Sequence, residues 1–141
     1  MTDKAQQDFA NALYEEGMSY NWRQDKSPAN SALSRANLER AAALGHTKAL
    51  REVAEMIFIG SGGPQNQEQA LRLKWGAFKQ GDNDALEELS AMLESYAESS
   101  TEPNDRRRAE NAAQKAEAAS ELLRWLESYL YELVRLKNTE S

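Results

Sequence analysis

Ala41, Gly45, Ala49 and Leu50 recur 36 residues later as Ala77, Gly81, Ala85 and Leu86. A fixed period of this length constrains a chain more than any isolated motif, because one supersecondary unit must serve twice. The repeated residues are small, and small residues let two helices approach closely. Glycine suits the left-handed position that ends a helix. After each glycine come polar residues, His46-Thr47-Lys48 and Asp82-Asn83-Asp84, which suit a tight turn and a new helix start. The period therefore predicts helix, loop, helix, turn.

The segment between the marks fits. From Ala49 to Ile59 the apolar positions Ala49, Val53, Ala54, Met56 and Ile57 keep helical spacing. Gly60-Ser61-Gly62-Gly63-Pro64-Gln65-Asn66 then breaks the helix. A second helix follows over Gln67 to Gln80, with Ala70, Leu71, Leu73, Lys74, Ala77 and Phe78 forming a stripe. The glycines do not make a phosphate cradle, which needs a preceding strand and a Gly-Lys-Ser/Thr ending. Helices this short cannot bury their apolar faces alone, so neighbouring pairs are expected to stack.

These residues resemble the Sel-1-like repeats, a branch of the tetratricopeptide-type α-solenoids. The copy from Ala49 carries the likeness at Ala49, Val53, Ala54, Ile57, Gly60, Gly62, Pro64, Asn66, Ala70, Ala77, Gly81 and Ala85. It departs from the family pattern at Val53 (for leucine), Ala54 (for the first glycine), Ile57 (for tyrosine) and Phe78 (for the second paired alanine). A weaker copy precedes it, on Ala12, Gly17, Tyr20, Ala41, Ala42, Gly45 and Ala49, with a loop over Arg23–Ser31 that replaces the usual Gly-x-Gly. The resemblance implies an all-α short α-solenoid of two to three helix-hairpin repeats, over about 12–48 and 49–84 with a half repeat at 85–98. Its first helices would line a concave groove for a partner protein. Carried across, the groove positions are Tyr14, Met18 and Trp22, then Arg51, Glu55, Phe58 and Ile59, then Glu87, Ala91 and Glu94. Two arrangements satisfy them: an open binding surface, or a groove covered by the carboxyl-terminal helix.

Beyond the polar loop at Ser99–Asp105, no Gly or Pro follows Pro103. Ala109, Ala112, Ala116, Ala119, Leu123, Leu126, Leu130 and Leu133 alternate steps of three and four, a heptad seam. A helix over 104–137, in the same compact unit as the repeats, would be roughly 50 Å long. It either caps the last repeat with its alanine half or presents Leu123, Leu126, Leu130 and Leu133 to a second copy or a partner. Arg106-Arg107-Arg108 stands at its start, where positive charge opposes the helix dipole.

Composition narrows the chemistry. The 141 residues contain no cysteine and a single histidine, which excludes thiolate metal sites, cysteine nucleophiles and histidine dyads. His46 reads as a turn residue, and no serine sits in a hydrolase motif. We expect neither catalysis nor a cofactor or metal. The net charge of −6 makes nucleic acid a poor partner and a basic protein a better one. From Asp82 to Asp105 there are eight acidic residues and no Lys or Arg. No apolar run approaches the roughly 20 residues that span a bilayer, and no secretory signal opens the chain, so a cytoplasmic protein is expected.

Short solitary members of the resembled family look like adaptors, regulators or bacterial antitoxin-type proteins. The resemblance thus implies a protein-interaction module, adaptor or immunity protein, facing a basic toxin or enzyme. The alternative is a self-assembling protein that dimerises through the carboxyl-terminal seam. Hydrolase members of the family look disulfide-rich, unlike this chain.

Overall fold

The computed structural model describes residues 3–22, 27–100, 102–118 and 129–135, and all regular structure among them is α-helical. The chain divides into two compact units, Met1–Asn66 and Gln67–Ser141. The division falls inside the segment 49–84 that the period marks as one repeat. None of the helices among the described residues is long and apolar enough to cross a membrane.

The first unit holds α1 (Asp3–Trp22), α2 (Pro28–Ala43) and α3 (Thr47–Ile59), with α2 packed against both of its neighbours. Helix α2 begins earlier than the sequence suggests, inside the expected loop Arg23–Ser31. The reason is local: Ser27 Oγ accepts from the Asn30 N–H at 3.3 Å, and Pro28 takes the first helical position. Gly17 lies at the α1–α2 contact, where a Cβ would stand 2.7 Å from Leu38 Cγ. Helix α3 buries Ala49, Val53, Ala54, Met56, Ile57 and Phe58.

The glycine-rich bend after α3 is stitched down by α2. Arg35 donates through Nη1 to the carbonyls of Ser61 (3.4 Å) and Pro64 (3.0 Å), and through Nε to Glu39 at 2.9 Å. Gly62 has φ +73°, and a Cβ there would collide with the Ser31 carbonyl. The bend is thus filled by neighbouring protein, with Asn66 N–H closing onto the Ile57 carbonyl at 3.0 Å.

The second unit holds α4 (Gln67–Lys79), α5 (Asp84–Ser99) and α6 (Pro103–Ala118), and residues 129–135 are helical as well. Helix α5 packs against α4 and α6. Small residues govern the α5–α6 contact: Ala109, Ala112 and Ala113 are fully buried, and Ser90 Oγ donates to the Ala113 carbonyl at 3.0 Å. Arg106 donates through Nε to the Ala97 carbonyl (3.2 Å) and through Nη2 to the Ser100 carbonyl (3.0 Å). Positive charge that is unfavourable at the start of α6 thereby satisfies the open carbonyl end of α5.

The period survives in atomic detail. In the first unit Gly45 N–H reaches the Ala42 carbonyl at 3.0 Å and His46 N–H the Ala41 carbonyl at 3.1 Å. In the second, Gly81 N–H reaches the Phe78 carbonyl at 2.9 Å and Asp82 N–H the Ala77 carbonyl at 3.1 Å. Each turn is a Schellman cap with a left-handed glycine, φ 94° at Gly45 and 110° at Gly81. Ala41, Ala49, Ala77 and Ala85, which flank the turns, are all fully buried. Helix, Schellman turn and helix thus recur as α2–α3 and α4–α5, the local arrangement of α-solenoid repeats.

Of the expected helix 104–137, residues 119–128 and 136–137 lie outside the described residues, and the segment 129–135 does not lie along the axis of α6. Tyr129 lies within electrostatic reach of Asp105 and Arg108. In an uninterrupted helix it would stand about 36 Å from Asp105. Ala109, Ala112, Leu130 and Leu133 of the seam are all buried.

Candidate functional site

Two surfaces combine exposure with chemistry, one in each unit. In the first unit α1 meets the start of α3. His46 Nδ1 accepts from the Ala49 N–H at 3.1 Å and so caps α3. The cap needs a neutral ring, because a protonated Nδ1 cannot accept. Burial, and then the charge of Lys48, push the His46 pKa below 6.5. The ring also stacks on Tyr14, with centroids 4.4 Å apart and planes 19° from parallel. Beside this stack, Gln7, Ala10 and Asn11 of α1 and the turn Leu44–Lys48 line an open cavity of about 390 Å³.

In the second unit the outer face of α5 carries Glu87, Ala91, Glu94 and Glu98, all exposed, while Leu89, Met92, Leu93 and Tyr96 are buried. Steps of four, three and four keep the exposed set on one side of the helix. Among the described residues none forms an ion pair with Glu87, Glu94 or Glu98. Their neighbour Glu88 is different: its Oε2 lies 2.6 Å from Lys74 Nζ, whose side chain is fully buried. Tyr96 donates to Glu68 Oε1 at 3.4 Å, and burial, followed by the Glu68 charge, raises its pKa. Burial, with Asp105 adding to it, pushes Tyr129 up to about 12.

The groove positions divide between the units. In the first, Tyr14, Met18 and Glu55 are half-buried, and Ile59 is 67% exposed. Arg51 is largely enclosed, with Nη2 4.0 Å from Glu52 Oε1. The side chain of Trp22 lies outside the described set. Phe58 corrects the sequence reading, since its side chain is buried in the core rather than offered as a surface anchor. A helical register read off alanines cannot tell a wide apolar stripe from a narrow one, and on α3 the stripe takes in position 58. In the second unit Glu87 and Glu94 are exposed as expected.

The seam needs a second correction. Leu130 and Leu133, taken as part of an outward dimer or partner surface, are buried at 2% and 5% exposure. They face inward because residues 129–135 do not continue along the α6 axis. Leu123 and Leu126 lie outside the described residues. Sequence reasoning missed the cavity residues Gln7, Asn11, Thr47 and Lys48; the only available signal was the polar helix start after Gly45.

Among the described residues, no group of three or more His, Cys, Asp or Glu is placed to hold a metal ion. Comparison with protein-family models, curated proteins and solved structures finds no match to this chain.

Proposed function

We propose that the chain is a non-catalytic interaction module that docks a basic partner protein through the outer face of α5. The observation that carries this reading is the row Glu87, Glu94 and Glu98, which has no ion-pair partner among the described residues. Glu94 and Glu98 sit one helical turn apart, where like charges repel by a few tenths of a kcal/mol. A cationic surface relieves that repulsion and is drawn in by the field of the row. Ala91 leaves the middle of the face flat, so lysine or arginine side chains can lie across it.

The resemblance to Sel-1-like repeats supports binding over catalysis and suggests a cytoplasmic adaptor or an immunity protein against a basic toxin enzyme. Tyr14, Met18, Arg51, Glu55 and Ile59 would form a secondary contact in the first unit. Self-assembly through the seam draws no support from Leu130 and Leu133, which the fold encloses. The test is capture from a lysate of the source cells with the full chain and with the triple variant Glu87→Gln, Glu94→Gln, Glu98→Gln. A basic protein retained by the native chain at low salt, released as salt rises and lost with the triple variant is expected. Retention that ignores both salt and the triple substitution would overturn the reading.

A further inference from the structure

His46 is the single histidine of the chain, and its backbone is pinned on both sides. Its N–H donates to the Ala41 carbonyl and its carbonyl accepts from the Leu50 N–H, each at 3.1 Å. Gln6 of α1 ties the same turn down, donating through Nε2 to the Leu44 carbonyl at 3.3 Å. Only the side-chain bonds of His46 are left to turn. Two contacts hold the imidazole: the Nδ1 cap on the Ala49 N–H at 3.1 Å and the stack on Tyr14 at 4.4 Å. With Nδ1 accepting, the neutral ring carries its proton on Nε2. A second proton makes both nitrogens donors, so no rotation of the cationic ring restores the cap. The charged groups around the ring divide by element. Lys48 of α3 repels an imidazolium, Glu15 of α1 attracts it, and Arg40 in the last turn of α2 lies over the Phe9 ring. The start of α3 adds the positive end of its dipole. Burial is the largest effect against the charged ring, followed by Lys48; together they outweigh Glu15 and hold the pKa below 6.5.

We propose that His46 is an acid-operated cover: on protonation its ring swings off Tyr14 into solvent while the helices keep their places. The backbone bonds to Ala41 and Leu50 do not involve the imidazole, so the turn survives the swing. His46 also lines the open cavity of about 390 Å³ beside Gln7, Asn11 and Lys48. Its departure opens that cavity onto the face of the Tyr14 ring and gives it an aromatic wall. Acidification thereby changes the surface that the first unit presents without unfolding it. This device is independent of the α5 docking face.

The experiment titrates the isotope-labelled full chain between about pH 7.5 and pH 5 and follows the His46 ring, the Ala49 amide and the Tyr14 ring protons by NMR. A lone histidine makes the first signal unambiguous, and Tyr14→Phe assigns the tyrosine. We expect all three to move with one midpoint below pH 6.5, the Tyr14 protons losing the ring-current shift that a stacked imidazole imposes. Protection of the Ala49 amide, corrected for intrinsic exchange, should fall about fivefold as the cap is lost. His46→Asn caps without covering, so its Tyr14 signals should sit at the uncovered position at every pH. Helicity by far-UV circular dichroism should stay constant in both proteins. Tyr14 signals that stay in place while His46 titrates would mean that cation–π attraction holds the charged ring where it is, and would overturn the proposal. A Tyr14 transition of equal size in His46→Asn, or helicity lost at the His46 midpoint, would overturn it as well.

Discussion

Lys74 offers the sharpest test of the packing in the second unit. Its side chain is fully buried on α4 and its ammonium lies 2.6 Å from Glu88 Oε2, whose side chain is 36% exposed. At that separation the gross attraction is about 6 kcal/mol with an effective dielectric near 20. Desolvating a buried cation costs several kcal/mol, so the pair as a whole contributes little net stability. The two halves are nonetheless unequal. Glu88→Ala takes this carboxylate away from a buried ammonium, and breaking a fully enclosed pair by removing one partner costs about 3–5 kcal/mol. The partial exposure of Glu88 admits water and lowers the expectation to about 2–4 kcal/mol. Lys74→Met keeps the volume of the stem and leaves a glutamate that can turn toward solvent, so its cost should stay within about 1 kcal/mol. With about 3–4 °C of melting temperature per kcal/mol at this chain length, Glu88→Ala should lower Tm by roughly 10 °C. Lys74→Met should move it by less than about 4 °C, and adding Glu88→Ala to Lys74→Met should cost little more. Urea unfolding gives the free energies of the three variants and thermal melts give their Tm. Equal destabilisation by the two single substitutions would refute the reasoning.

Three further outcomes follow from particular contacts. Gly62→Ala combines left-handed backbone with a collision against α2 and should cost about 3 kcal/mol, whereas Gly81→Ala, with open space around it, should cost about 1 kcal/mol; denaturant midpoints of the pair test the difference. The lowered pKa of His46 means that the unfolded chain takes up the proton first as pH falls below 6.5. Stability contributed by the neutral cap is therefore complete above that pH and declines on acidification until the folded ring also titrates. His46→Asn, which caps without titrating, should lose less stability than the native chain between about pH 7.5 and pH 5.5. Arg106→Met should cost about 1 kcal/mol and speed amide exchange in the last turn of α5, because two carbonyls lose their donor.

Much of the local structure was legible in the sequence because it depends on near neighbours. Gly45 and Gly81 end helices by the same hydrogen-bond pattern, and the polar residues after each lead into the next helix within three positions; both facts need only a few residues of context. The alanines flanking each turn are buried because a close helix pair admits nothing larger. Lys74 stood in the apolar stripe of α4, and the fold does bury it. The acidic stretch likewise placed Glu87, Glu94 and Glu98 on one exposed face, since helical spacing alone separates them from Leu89 and Leu93.

What depended on distant residues was not legible. Heptad spacing over 109–133 is equally compatible with one straight helix and with two helices sharing one core, and a repeating pattern carries no sign of reversal. Only the proximity of Tyr129 to Asp105 distinguishes them, and it turns Leu130 and Leu133 from an expected interface into core. The place of Phe58 in the core, the partnership of Lys74 with Glu88 and the use of Arg106 on α5 arise from packing between elements. So does the division between Asn66 and Gln67, which cuts across the apparent repeat. Periodicity records what each helix does with its own faces; which faces meet is decided when tertiary contacts compete for them.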